Sequence, residues 1–321
     1  MRAIQVSQHG GPEVLLVAEV PEPQAGPGQL LVETEAIGVN FIDTYIRTGR
    51  YPQAVPYVPG AEGSGVVLAV GSGVGDFRPG DRVAWAAAPG SYAERVVVDA
   101  AVAIPVPAGV EPAVAASALL QGMTAHYLIE SIYKPEPGET VLVHAGAGGV
   151  GLILTQLLAA RGVRVITTVS TDDKEKLSRE AGAAEVLRYD DEIATRVREL
   201  TDGVGVAAAY DGVGASTFEA SLASLRVRGT LALFGAASGP VPPFDLQRLN
   251  PAGSIFVTRP TLVHYTRDRA ELLWRAGDIM NAIADGTLLI RVGASYPLAQ
   301  AEQAHRDLEG RKTTGSIVLL P

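Results

Sequence analysis

An apolar run, Thr140 to Ala145, leads straight into Gly146-Ala147-Gly148-Gly149-Val150-Gly151 and on into a helical stretch, Gly149 to Arg161, closed by Gly162. A strand, a Gly-x-Gly-x-x-Gly turn and a helix in immediate succession admit few architectures. The last glycine of such a turn lets helix and strand pack closely, and the middle one leaves the backbone open to a pyrophosphate. The first N–H groups of the helix have no partner within it, so with the positive end of the helix dipole they attract an anion. The competing reading is a glycine turn with only a structural role.

The residues that follow favour the first reading. Val163–Val169, Glu185–Tyr189, Val204–Tyr210, Gly229–Phe234 and Ser254–Thr258 read as strands, with helices expected over Asp172–Ala181 and Asp190–Thr201. Strand–helix alternation over about 120 residues implies a doubly wound α/β fold, a parallel sheet covered on both faces. Before it the pattern differs. Residues 1–120 hold short apolar runs punctuated by Gly10-Gly11-Pro12, Pro21 to Gly28, Gly71-Ser72-Gly73 and Arg78-Pro79-Gly80-Asp81, which suggests a small barrel or sandwich. Ala115, Leu119, Met123 and Tyr127 repeat at helical spacing, with Gly122 marking a joint. A helix, Arg267 to Gly286, and a last strand, Gly315 to Leu320, close the chain, and that strand is expected to return to the first domain. A length of 321 residues accommodates two domains.

Composition narrows the function classes. There is no cysteine, which excludes disulfides, thiolate catalysis and cysteine-ligated metals. The net charge is −9 with no basic run, so neither a nucleic acid nor an anionic membrane is an expected partner. No apolar stretch reaches the ~18 residues of a membrane span. The chain opens on the strand-like Met1-Arg2-Ala3-Ile4-Gln5-Val6 without a signal peptide, so a cytoplasmic protein with no membrane insertion is expected.

The second strand of such a domain selects the dinucleotide, because NAD enzymes place an acid at its tip to bind the ribose 2′-hydroxyl. Here the tip reads Thr168-Val169-Ser170-Thr171, without an acid, and Lys174 follows. Ser170 can donate to a 2′-phosphate and Lys174 can neutralise it, which points to NADPH. Against this, Asp172, Asp173 and Glu175 crowd the next helix start, and Ser170 or Thr171 is equally suited to cap that helix.

Further segments extend the pattern over the whole chain: Gly10-Gly11-Pro12-Glu13-Val14-Leu15, Gly38-Val39-Asn40-Phe41-Ile42-Asp43, Gly49-Arg50-Tyr51-Pro52, Pro59-Gly60-Ala61-Glu62-Gly63, Gly80-Asp81-Arg82-Val83, Gly122-Met123-Thr124-Ala125, Val257-Thr258-Arg259-Pro260 and Gly315-Ser316. Together with the glycine turn they resemble the zinc-free quinone oxidoreductases (the zeta-crystallin type) of the medium-chain dehydrogenase/reductase superfamily. The resemblance implies a Rossmann-type doubly wound parallel sheet over 122–263. It also implies a mainly β, GroES-like barrel catalytic domain over 1–121, completed by 264–321, with the cofactor in the cleft between them. It further implies NADPH-dependent reduction of quinones and assembly as a homodimer, members of the family usually being dimers or tetramers. Zinc alcohol dehydrogenases carry Gly-His-Glu where this chain has Gly60-Ala61-Glu62, and His9, His126, His144, His264 and His305 show no metal-ligand spacing. Without a Lewis acid to polarise a carbonyl, alcohol oxidation is disfavoured and metal-independent hydride acceptors are favoured. Activated C=C bonds of enones and enals are the alternative substrate class.

The resemblance assigns roles residue by residue, and each residue also has a local reading. Asn40 is implied near the nicotinamide ribose, or is a helix cap ahead of Phe41-Ile42-Asp43. Tyr127 is implied as a cofactor contact, or packs a core. Gly148, Gly149, Val150 and Gly151 form the phosphate loop. Tyr189 is implied beside the 2′-phosphate or adenine, or is a strand-end aromatic. Phe234-Gly235 is implied as a nicotinamide-facing turn, and Arg311 as lying near the cofactor unless it is a solvated charge. Tyr45, Tyr51 and Arg259 are the candidates for the substrate cleft, where tyrosines can stack on a flat quinone and donate to its oxygen. No paired carboxylates or nucleophilic triad stand out, as suits a reaction whose chemistry the cofactor carries. Hydride and stepwise electron transfer are not distinguished at this level. A non-catalytic structural or RNA-binding role, also known for zeta-type members, is opposed by the intact glycine loop and the acidic charge.

Overall fold

The computed structural model describes residues 1–189 and 192–321. The chain divides into two compact units, Met1–Gln121 with Arg267–Pro321, and Gly122–Thr266. In chain order the first unit holds β1 (Arg2–Gln5), β2 (Leu16–Glu19), β3 (Gln29–Val39), α1 (Phe41–Arg47), β4 (Glu62–Val70), β5 (Arg82–Trp85), β6 (Arg95–Asp99) and β7 (Ile104–Pro105). Helix α2 (Pro112–Tyr127) runs from the first unit into the second. The second continues with β8 (Thr140–Val143), α3 (Gly149–Ala159), β9 (Arg164–Val169), α4 (Asp172–Glu180), β10 (Glu185–Arg188), α5 (Ile193–Leu200), β11 (Val206–Asp211), α6 (Phe218–Ser224), β12 (Leu225–Leu233) and β13 (Phe256–Thr258). The chain returns to the first unit as α7 (Arg269–Ala284), β14 (Val292–Pro297), α8 (Ala301–Glu309) and β15 (Ser316–Leu320).

In the second unit six parallel strands lie in the order β10-β9-β8-β11-β12-β13. Counted along the unit this is 3-2-1-4-5-6, the order of a Rossmann sheet, and it reverses direction between β8 and β11. Every residue of the central strand β11 is buried, as a strand covered on both faces requires. The apolar side chains of Leu142, Ile166, Ala209, Leu231, Phe218 and Leu222 form the core between sheet and helices. Truncating a leucine there to alanine costs about 2–5 kcal/mol. The helix expected from Asp190 opens on residues outside those described, and its described part is α5.

In the first unit the 11-residue β3 organises a bent sheet, β14-β15-β3-β4-β5-β7, with β6 also on β3. Its first half pairs with β6, Leu30 opposite Val98, and its last residues pair with β15, Ile37 opposite Leu319. Register shifts between Leu31 and Val32 and between Thr34 and Ala36 mark where the strand bends and changes partner. Two apolar clusters fill the bend. One is built on Leu30, Val67, Phe77, Val83 and Trp85, the other on Ile4, Ile37, Tyr92, Leu298 and Leu319. The closing strand therefore packs into the first unit's core.

Helix α2 runs unbroken through Gly122, the residue at which the second unit begins, and ends in a π-helical turn, Leu128–Ile132. Ala115, Leu119, Met123 and Tyr127 are all buried along it, and that packing outweighs the ~1 kcal/mol helix penalty of one glycine. Among the described residues no helix is long and apolar enough to cross a membrane.

Candidate active site

The glycine turn sits at the carboxyl end of β8, beside the point where the strand order reverses. Gly146 N–H donates to Thr168 O at 2.9 Å and Gly148 N–H to Ala145 O at 2.9 Å, folding the turn against β9. Ala145 takes a positive φ of 55°. A Cβ on Gly146 would lie 2.6 Å from Thr167 Cβ, and one on Gly151 would lie 2.2 Å from the Ala145 carbonyl oxygen. Both glycines are therefore needed for close packing of helix, turn and strand. Gly148 is the N-cap of α3 and supplies no side-chain cap, so the first N–H groups of the helix (Gly149, Val150, Gly151) keep their capacity for an external acceptor. Donors without a carboxylate cap, at the positive end of an 11-residue helix, fit a pyrophosphate.

A buried polar chain underlies this turn. His144, 1% exposed, bonds through Nδ1 to Thr168 Oγ1 (2.8 Å) and through Nε2 to Ser221 Oγ (2.9 Å). Ser221 donates to Asp211 Oδ2 at 2.7 Å. A carboxylate only accepts, so the Ser221 proton is committed to Asp211, His144 donates from Nε2, and Thr168 donates to Nδ1. Burial holds the imidazole pKa below its usual value, with Asp211 pulling the other way. Asp211 also accepts from the N–H groups of Val213 (2.8 Å) and Gly214 (2.9 Å) and from Thr217 Oγ1 (2.8 Å). The ends of β8, β9 and β11 are thus tied together directly beneath the anion seat.

At the tip of β9 the two readings of the Ser170-Thr171 pair fall on different residues. Thr171 is the N-cap of α4, its Oγ1 accepting from Lys174 N–H at 3.3 Å. Ser170 is exposed and accepts from Lys174 Nζ at 3.3 Å. A hydroxyl and an ammonium therefore stand together where an NAD enzyme presents a carboxylate. Tyr189, at the end of β10, reaches back to the turn. Its hydroxyl accepts from Ala145 N–H at 2.9 Å, and its ring lies 6.4 Å from that of His144, at 19°.

Phe234 falls one residue past β12, its N–H donating to Asp211 O at 2.9 Å. Gly235 follows, where a Cβ would stand 2.3 Å from Gly212 O. The Phe234-Gly235 turn is thereby pressed against the end of β11. Tyr127 is 2% exposed and stacks on Tyr265 with ring centres 4.6 Å apart, so its ring packs within the second unit. Arg259 is exposed just beyond β13.

The first unit gathers a separate polar cluster. Asn40 is the N-cap of α1, and its backbone N–H donates to Asp43 Oδ2 at 2.9 Å. Its side-chain Nδ2 donates to Glu62 Oε2 at 2.7 Å and its Oδ1 accepts from Gln121 Nε2 at 3.2 Å. Glu62 also accepts from Leu120 N–H (2.7 Å), and Gln121 from Ser316 Oγ (2.7 Å). Four segments far apart in sequence thus fix the orientation of one amide. Burial pushes the Glu62 carboxyl up to about 8 and that of Asp43 up to about 6, with the hydrogen bonds drawing each partly back. Tyr45 and Tyr51 adjoin edge to face, ring centres 5.6 Å apart, with Tyr45 buried, Tyr51 39% exposed, and the Arg50 guanidinium 4.8 Å from the Tyr45 ring centre. Arg311 follows α8, exposed and at φ 55°.

Glu62, Gln121 and Ser316 around Asn40, Thr168, Ser221 and Asp211 around His144, and Arg188 beside Asp172 and Glu175 are not singled out by the sequence. Their partnerships span 10 to 195 residues and leave no local spacing signal.

A model of the family "Zinc-binding dehydrogenase" matches residues 149–273, and one of "Alcohol dehydrogenase GroES-like domain" matches residues 26–108. The quinone oxidoreductase of Pseudomonas aeruginosa is 44% identical over 323 residues, covering 100% of this chain and 99% of that one. A mycobacterial protein solved with NADPH is 59% identical, with a TM-score of 0.98 over 100% of both chains. Escherichia coli quinone oxidoreductase solved with NADPH is 40% identical, also with a TM-score of 0.98 over 100% of both. These matches cover the first and second units alike. The chain belongs to the quinone oxidoreductases of the medium-chain dehydrogenase/reductase superfamily.

Proposed function

We propose that the protein is an NADPH:quinone oxidoreductase. The observation that carries the reading is the pairing of an uncapped glycine-turn helix with a β9 tip that ends on Ser170 rather than on an acid and is approached by Lys174. NADPH, when bound, supplies a hydride, and the quinone takes up that hydride and a proton to leave as hydroquinone. The N–H groups of Gly149, Val150 and Gly151 hold the pyrophosphate, and Ser170 and Lys174 take the 2′-phosphate. Tyr189 lines the adenosine end. Asn40, its amide fixed by Glu62 and Gln121, presents a set donor to the nicotinamide ribose. The Phe234-Gly235 turn, Tyr127 and Arg311 complete the cofactor contacts. Tyr45 and Tyr51 offer an aromatic wall and hydroxyls to a flat acceptor, and Arg259 supplies positive charge as the acceptor becomes negative.

The reaction is proposed to need no zinc. The sequence has Ala61 where a histidine ligand stands in the zinc alcohol dehydrogenases and has no cysteine, and Glu62 is committed to Asn40 and Leu120. A homodimer joined through β13 is also part of the proposal. That edge strand exposes Phe256 (62%) and Val257 (38%), and an open apolar edge calls for a cover. The cytoplasm, with its supply of reduced nicotinamide, is the proposed location.

A panel of quinones, enones and enals assayed with NADPH tests the activity. Quinones are expected to be turned over fastest, and turnover confined to C=C acceptors would refute the reading.

A further inference from the structure

The first turn of α4 sets Asp172, Asp173 and Glu175 beside the tip that receives a 2′-phosphate. Acids there suit the helix dipole but repel a dianion. Arg188 answers them. It is the last residue of β10, lies opposite Val169 in the parallel register, and so sits next to the strand end that leads into Ser170. Its Nη2 donates to Asp172 Oδ1 at 2.7 Å and to Glu175 Oε2 at 2.6 Å. The other Glu175 oxygen accepts from Arg179 Nε at 2.9 Å. Asp172 is fully exposed, and pairs of that kind add little to stability, so folding alone does not account for a guanidinium placed across two of these carboxylates.

The geometry points to Arg188 as a specificity-determining residue. By pairing with Asp172 and Glu175 it removes their repulsion and lets the Ser170–Lys174 tip accept the 2′-phosphate of NADPH. Arg188 acts through the two acids, as a positioning residue, rather than by touching the phosphate. The inference rests on NADPH being the cofactor.

Dissociation constants for NADPH and NADH, read from the fluorescence of the bound reduced nicotinamide without any acceptor, test it. In Arg188→Gln the NADPH constant is expected to rise about tenfold, as Asp172 loses its counter-charge and Glu175 is left with Arg179 alone, so that their negative charge acts on the phosphate uncompensated. The NADH constant should stay within about twofold, and the NADPH penalty should shrink as salt is raised. Adding Asp172→Asn and Glu175→Gln to Arg188→Gln should restore NADPH binding to within about threefold of the unmutated protein, because the repelling charges are gone. Failure of that rescue would overturn the proposal in favour of direct contact with the phosphate. No NADPH penalty in Arg188→Gln, or equal penalties for both nucleotides, would also overturn it. Should the unmutated protein bind NADH as tightly as NADPH, the cofactor reading fails. A clear NADPH preference left untouched by Arg188→Gln defeats the Arg188 proposal alone.

Discussion

Replacing Gly151 by alanine tests whether the glycine turn is a nucleotide seat or only a bend. The added Cβ would stand 2.2 Å from Ala145 O and 3.0 Å from both Ala145 C and Gly146 Cα. All three are backbone atoms, and Gly146 is itself held by its bond to Thr168 O, so no flexible side chain can absorb the overlap. The turn must lift away from α3 by about an ångström, at the ~1–3 kcal/mol typical of overpacking. That displacement moves the same backbone that would hold the pyrophosphate. The strain lowers fold stability, while the misplaced donors weaken the charge-assisted bonds to the pyrophosphate, so NADPH affinity is expected to fall by about 2–4 kcal/mol, thirty- to a thousandfold. Titration with NADPH, followed by fluorescence, measures the loss, and the thermal transition of the same sample reports the fold. A variant that binds NADPH within twofold of the unmutated protein would refute the assignment of this turn as the phosphate site.

Lys174→Ala should weaken NADPH by about tenfold while NADH changes little, since Lys174 is half-buried and a charge-assisted bond there is worth about 1.5 kcal/mol; KM values for the two nucleotides measure this. Asp211→Asn keeps one carbonyl oxygen to accept what two carboxylate oxygens now take from Val213, Gly214, Thr217 and Ser221, and should cost about 3 kcal/mol in denaturant unfolding. The carboxyls of Asp43 (about 6) and Glu62 (about 8) are raised above their unfolded values, so the folded protein retains protons that the unfolded chain releases. Their stabilisation is complete below about pH 4 and is lost as the pH rises through 6 and then 8. Thermal midpoints measured from pH 5 to 9 should reveal that fall, and Glu62→Gln should flatten its upper part.

The nucleotide-binding half was legible because its signals are local. The Gly-x-Gly-x-x-Gly turn, the buried run at β8 and the missing acid at the β9 tip each lie within a dozen residues. Strand β14 was not legible. Its Val292-Gly293-Ala294-Ser295 lacks the bulky apolar alternation that marks a strand, and it is held by pairing with β15. The seven-residue α6 was missed for a similar reason, since its Ala- and Ser-rich turns are fixed by packing on β11 and by Ser221 bonding to Asp211. Gly122 marks the start of the second unit, but the helix runs on through it, because a breaker signal is weak against a largely buried helix. Around Asn40 the residue itself was visible, but Gln121 reaches its amide, and Ser316 holds Gln121, only through the tertiary fold.

The most direct measurement is a single anaerobic turnover. Protein loaded with one equivalent of NADPH, and an identical sample loaded with NADH, are each mixed with a slight excess of a benzoquinone at a nucleotide concentration that separates the two affinities. Loss of the NADPH absorbance with one hydroquinone formed per NADPH, at least about tenfold faster than with NADH, is the expected result. Equal rates with both nucleotides, or NADPH left unoxidised by the quinone while an enone oxidises it, would contradict the assignment of NADPH-dependent quinone reduction.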